Sequence, residues 1–140
     1  MLDKGLNLKK MIKVITYGTF DLFHIGHWNL LNRAKNEGGY LIVAISSDEF
    51  NLRKGKKSQM TFQERCRVVK SLSFVDEVIA EDSWKQKEND IKKYGVNMFV
   101  MGDDWQGKFD DLTEHCQVKY LPRTNNISSS ILKKLFNHEK

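Results

Sequence analysis

The run Tyr40-Leu41-Ile42-Val43-Ala44-Ile45 constrains the fold more than any other segment, because it carries no charged side chain. A strand with one wet face alternates apolar and polar residues. An unbroken apolar run is what a parallel sheet produces when helices cover both of its faces. The neighbouring segments supply such helices. Val14-Ile15-Thr16-Tyr17 reads as a strand, and residues 26 to about 36 place Leu30, Leu31 and Ala34 at helical spacing before Gly38-Gly39 closes the helix. Residues 51–59 are polar and basic and read as a loop. Thr61-Phe62-Gln63-Glu64 has capping-box spacing and opens a helix to about residue 71. Strands are expected at 75–80, 97–101 and 117–121, and helices at about 83–94 and 128–136, the last with Ser128 as its N-cap. Strands alternating with helices define an α/β fold, a single-domain doubly wound, Rossmann-like parallel sheet flanked by helices and joined by right-handed crossovers. Residues 1–10 read as a flexible N-terminal extension, and 11–140 as the domain.

A chain of 140 residues suits one domain with a core of its own. Cys66 and Cys116 are far apart, so neither a disulfide framework nor a zinc ribbon is expected. No apolar run approaches the length that spans a bilayer, and residues 1–10 are too polar for a secretory leader. A cytoplasmic protein with no membrane partner is therefore expected. The net charge of +5 would suit a nucleic acid, a membrane surface or a small polyanion. An RNA-binding module predicts basic residues spread along a face with stacking aromatics. Here they concentrate in Arg53-Lys54-Gly55-Lys56-Lys57, after the second strand, which favours a small polyanion over nucleic acid.

Gly18-Thr19-Phe20-Asp21-Leu22-Phe23-His24-Ile25-Gly26-His27 links the first strand to the first helix. A helix start offers unpaired N–H groups and a positive dipole end, so it is a ready site for phosphate. His24 and His27 are three residues apart, able to share one face. A lone pair of such histidines would ordinarily be satisfied by local backbone; in this motif they are candidate donors to phosphate oxygens. Gly18 would let the backbone approach a ligand, and Gly26 would keep the helix start clear. Thr19 would offer a backbone or hydroxyl contact to a ligand and Phe20 a wall for it, although Phe20 suits a core equally well. Asp21 would orient a histidine, a lysine or a hydroxyl of the ligand, or else bond structurally.

The pattern Gly-Thr-Phe-Asp-x-x-His-x-Gly-His resembles the signature of nucleotidyltransferases that join a nucleoside triphosphate to a phosphorylated alcohol. With Ala44 to Asn51, Met101-Gly102-Asp103-Asp104-Trp105 and Leu121-Pro122-Arg123-Thr124-x-x-Ile127-Ser128, the chain is similar to the bacterial glycerol-3-phosphate cytidylyltransferases over about residues 11–134. The resemblance implies CMP transfer from CTP to glycerol 3-phosphate by in-line attack, with CTP and the phosphorylated alcohol as partners. It further implies a homodimer, and a product that feeds teichoic-acid or capsule-type polymers.

By the same resemblance the catalytic set is His24, His27, Lys54, Lys56 and Arg123. Nucleotide contacts fall on Thr19, Phe20, Ile25, Gly26, Asp104, Thr124, Ile127, Ser128, Ser129 and Ser130, beside the two histidines, Lys56 and Arg123. Acceptor contacts fall on Lys54, Lys87 and Asp21. Arg65 is a further basic candidate, or a cover for its helix surface. No metal-ligand spacing is present, so Mg²⁺ is expected to arrive with CTP and to be held by phosphate oxygens. His115 and His138 receive no role. The family's arginine ahead of the third strand is Ser73 here, which leaves phosphoethanolamine, phosphocholine or another polyol phosphate as alternative acceptors.

Overall fold

The computed structural model describes residues 11–122. Five strands, β1 (Ile12–Gly18), β2 (Gly39–Ser46), β3 (Glu77–Glu81), β4 (Met98–Gly102) and β5 (Gln117–Leu121), form one sheet in the order β3-β2-β1-β4-β5. Every pairing is parallel. Four helices lie between them: α1 (Ile25–Gly38), α2 (Asp48–Arg53), α3 (Phe62–Lys70) and α4 (Gln86–Tyr94). The chain reverses direction of travel across the sheet after β3, so the crevice between β1 and β4 is a switch point, where ligands of such sheets bind.

Strand alternation divides the core. Val14, Leu41, Val43, Ile45 and Val100 meet Leu31 and Ala34 of α1 and Cys66 and Val69 of α3 on one face. Ile15, Tyr17, Ile42, Ala44 and Phe99 meet Ile91 of α4 and Leu112 on the other. Each large aliphatic side chain buried in this way contributes roughly 1.5–3 kcal/mol. The apolar run at 40–45 is thus covered on both sides, as its composition requires. Gly39 closes α1 at φ 96°, a left-handed conformation that suits glycine, and donates its N–H to Lys35 O. Thr61 and Glu64 form the expected capping box, with Glu64 N donating to Thr61 Oγ1 at 3.2 Å and Thr61 N donating to Glu64 Oε1 at 2.9 Å. Both cysteines are free thiols.

Three boundaries differ from expectation. The segment read as a loop from residue 51 begins inside helix α2, which Ser47 caps by accepting Phe50 N at 3.1 Å while Phe50 is buried. Helix α4 starts at Gln86 rather than near residue 83, because the Gln86 side-chain Oε1 accepts the N–H groups of Asp82 and Ser83 and holds that stretch out of the helix. Strand β3 starts at Glu77 because Asp76 turns its carboxylate onto Leu41 N, at 2.8 Å. The extension at 1–10 and the helix expected at 128–136 lie outside the described residues. Among the described residues, no helix is long and apolar enough to cross a membrane.

Candidate active site

The turn after β1 is built under strain. Phe20 and Leu22 have φ values of 54° and 49°, a left-handed region unusual for non-glycine residues. Such conformations persist where the surroundings over-determine them. Arg65 supplies that restraint. Its side chain is fully buried, with Nη1 donating to Thr19 O at 2.9 Å and to Ser46 O at 2.7 Å, Nε donating to Met60 O at 3.1 Å, and Nη2 paired with Asp48 at 2.7 Å. It is therefore a clamp between the ends of β1 and β2 rather than a surface cover. Gly18 lines the cleft, and a Cβ there would stand 2.8 Å from the Phe20 ring, so its bareness also serves the folding back of Phe20. Phe20 is both core and wall, packed edge-on against His27 at 5.5 Å.

The two histidines cap their own helix. His24 is the N-cap of α1; its Nδ1 accepts Gly26 N at 3.0 Å, and its N–H donates to His27 Nδ1 at 3.2 Å. The rings stack with centroids 3.9 Å apart. A ring nitrogen that accepts a backbone N–H carries no hydrogen, so each neutral imidazole holds its proton on Nε2. Part of the helix start's donor capacity is thus turned inward onto the histidines, leaving each ring N–H on Nε2; His27 lines the cleft, and His24, stacked on it, is not in the lining. Burial holds the His24 pKa below its ordinary value. Burial, with help from His24 and against the pull of Asp21, brings His27 down to about 4. Both rings are neutral donors at pH 7.

A cleft of about 930 Å³ opens at the carboxyl ends of the strands and is lined by residues following β1, β2, β3 and β4. Thr19, Phe20, Asp21 and His27 form one side, and Lys54, Lys56 and Lys57 another. The sequence reading overlooked helix α2, yet that helix is what aims Lys54: as the C-cap residue it donates its N–H to Phe50 O, and Nζ donates to Ser46 Oγ at 2.9 Å. Burial lowers the Lys54 pKa, and Glu81 partly offsets this. Asp21 accepts Gln59 N and Met60 N, at 2.7 and 2.9 Å, and so ties the basic loop across the cleft mouth. Lys87 reaches the cleft from α4, buried and paired with Glu81 at 2.7 Å.

Several lining residues were missed in the sequence, among them Glu81, Trp84, Lys108 and Phe109. Lys108 and Trp84 stand in the cleft wall; Lys108 sits in the segment after β4, and nothing in its spacing marked it. Asp104 is exposed in the 3-10 turn Asp103–Trp105 and is not in the lining, where Trp105 is. Ile25 and Gly26 are at the helix start beside the histidines, with Ile25 exposed. Ser73 is exposed in the turn before β3 and does not line the cleft. Arg123, Thr124, Ile127, Ser128, Ser129 and Ser130 lie outside the described residues. Among the described residues, no group of three histidine, cysteine or carboxylate side chains could hold a metal ion.

A parallel α/β sheet with histidines at its first helix start and lysines around the crevice defines a domain built to handle phosphates at strand ends. Comparison with known proteins sharpens the class. The chain belongs to the cytidylyltransferase-like family, whose pattern matches residues 15–135. It is 57% identical over 124 residues to glycerol-3-phosphate cytidylyltransferase of Bacillus spizizenii, covering 89% of this chain and 96% of that protein. It is 52% identical over 123 residues to glycerol-3-phosphate cytidylyltransferase of Staphylococcus aureus, covering 88% of this chain and 93% of that one. Among solved structures, the lipopolysaccharide core biosynthesis protein of Thermoplasma volcanium superposes with a TM-score of 0.70 at 21% identity, over 83% of this chain and all (100%) of that one, which bears on the fold alone.

Proposed function

We propose that this protein transfers CMP from CTP to glycerol 3-phosphate, giving CDP-glycerol and pyrophosphate. The observation that carries the mechanism is the stacked imidazole pair, with both Nδ1 atoms engaged by backbone N–H groups and both protons left on Nε2. A phosphate oxygen of the acceptor attacks the α-phosphorus in line. The bond from the α-phosphorus to the bridging oxygen breaks, and pyrophosphate leaves with that oxygen and its electrons. His24 and His27 donate to oxygens on which charge grows, and their neutrality means that no proton is lost to solvent at neutral pH. Lys54 and Lys87 take the acceptor phosphate, while Lys56 and Arg123 take the triphosphate, offsetting the repulsion of two anions brought together. Thr19, Phe20, Ile25, Gly26, Asp104, Thr124, Ile127 and Ser128 to Ser130 complete the nucleotide contacts in this proposal, and Asp21 holds the basic loop in place. Magnesium enters as part of the CTP complex, held by phosphate oxygens and water. A cytoplasmic homodimer that supplies a teichoic-acid or capsule-type polymer belongs to the same proposal.

The test is pyrophosphate release from purified protein with magnesium, CTP or ATP, and a panel of phosphorylated alcohols. CTP with glycerol 3-phosphate is expected to give the highest kcat/KM. Preference for ATP defeats the cytidylyl assignment, and preference for phosphocholine or phosphoethanolamine defeats the acceptor.

A further inference from the structure

A buried carboxylate is out of place in a cleft that binds two polyanions. Glu81 ends β3 opposite Ser46 in the β2 register, is only 4% exposed, and lines the cleft. The other carboxylate in the lining, Asp21, has both oxygens on loop amides. Glu81 gives Oε2 to the Lys87 ammonium at 2.7 Å, and among the described residues no group donates to Oε1. That oxygen is not sealed away: among the described residues, the sole sealed side-chain polar atom without a partner is Asn51 Nδ2.

The geometry points to Glu81 as the residue that selects the acceptor, through its Oε1 accepting a hydroxyl hydrogen of the phosphorylated polyol while Oε2 holds Lys87 on the phosphate. This rests on the acceptor being a polyol phosphate, as proposed above. The charge balance favours a hydroxyl over an ammonium headgroup. The Glu81 charge is already matched by Lys87, with Lys54 bonded to the neighbouring Ser46, so an incoming cation would face two ammonium groups. A hydroxyl needs only the free lone pairs, and a bond to a charged acceptor is roughly twice as strong as a neutral one. An acceptor lacking the hydroxyl would leave Oε1 dehydrated and unpaired, which is how polar sites reject deoxy analogues.

Glycerol 3-phosphate and propyl phosphate, which has the same phosphate and no hydroxyl, are compared as acceptors with CTP saturating. The unchanged protein is expected to favour glycerol 3-phosphate by roughly a hundredfold in kcat/KM. In Glu81→Gln the amide oxygen stays on Lys87 and the NH₂ replaces the acceptor oxygen, so the preference is expected to fall about tenfold, mainly through the KM for glycerol 3-phosphate, with the KM for CTP unchanged. A residue that merely held Lys87 would reduce both acceptors by one factor, and that result, or an unchanged protein that does not discriminate, overturns the inference. If Glu81→Gln does not fold, Glu81→Asp, which keeps the charge and withdraws the oxygen, is expected to lose the same preference. Absence of CMP transfer to any phosphorylated alcohol would instead sink the proposed function, so the two failures are distinguishable.

Discussion

His24→Asn is expected to fold with a melting temperature close to that of the unchanged protein while losing roughly a hundred- to a thousandfold in kcat. Asparagine places its Oδ1 near the position of the imidazole Nδ1 and is a favoured N-cap, so the bond from Gly26 N is retained. The Nε2 donor has no counterpart in the shorter side chain. His24→Ala should lose the same turnover and also about 1 kcal/mol of stability, because the cap goes with the donor. His27→Gln follows the same logic: glutamine at the third helical position can reach back to the His24 N–H, as in an ordinary capping box, and cannot supply the ring donor. Steady-state pyrophosphate release paired with thermal unfolding by circular dichroism separates the two roles. Near-full turnover in His24→Asn would remove that ring from the chemistry.

The largest loss of stability is expected from Arg65→Met, which fills similar volume and leaves the carbonyls of Thr19, Ser46 and Met60 without their donor. Removing one side of such a buried network costs about 3 kcal/mol or more, which lowers the melting temperature by roughly 10 °C in a domain of this size. The effect should reach function as well. Phe20 and Leu22 are held at positive φ by this clamp, and the His27 ring packs on Phe20, so relaxation of the turn disperses the cleft wall. An Arg65→Met protein that melts with the unchanged one would mean that the turn needs no clamp.

The parallel sheet was legible because burial on both faces leaves a mark in one short run, 40–45, and the helix ends were legible where a side chain caps them locally, as Thr61 does. Helix α2 was hidden by polar residues: Asn51, Arg53 and the C-cap Lys54 look solvated, and only Ser47 as a cap and Phe50 as an anchor reveal the turn. Motif residues declared their chemistry, yet not how they are held. Arg65 bonds to carbonyls 19 and 46 residues away in sequence, a relation that no local spacing encodes. Gly18 answers to the Phe20 ring, and Lys108 enters the cleft through a segment whose path depends on tertiary packing. Nothing in the sequence singles out Glu81; its pairing with Lys87 inside the cleft depends on where α4 packs.

Direct attack of the acceptor phosphate on CTP, with the protein supplying position and donors and no covalent bond, is tested most directly by stereochemistry at the α-phosphorus. CTP bearing sulfur at one defined α-oxygen, converted with glycerol 3-phosphate and analysed by ³¹P NMR, is expected to give CDP-glycerol of inverted configuration. Retention would require two successive displacements and hence a cytidylylated protein intermediate, and would contradict the mechanism derived from His24 and His27.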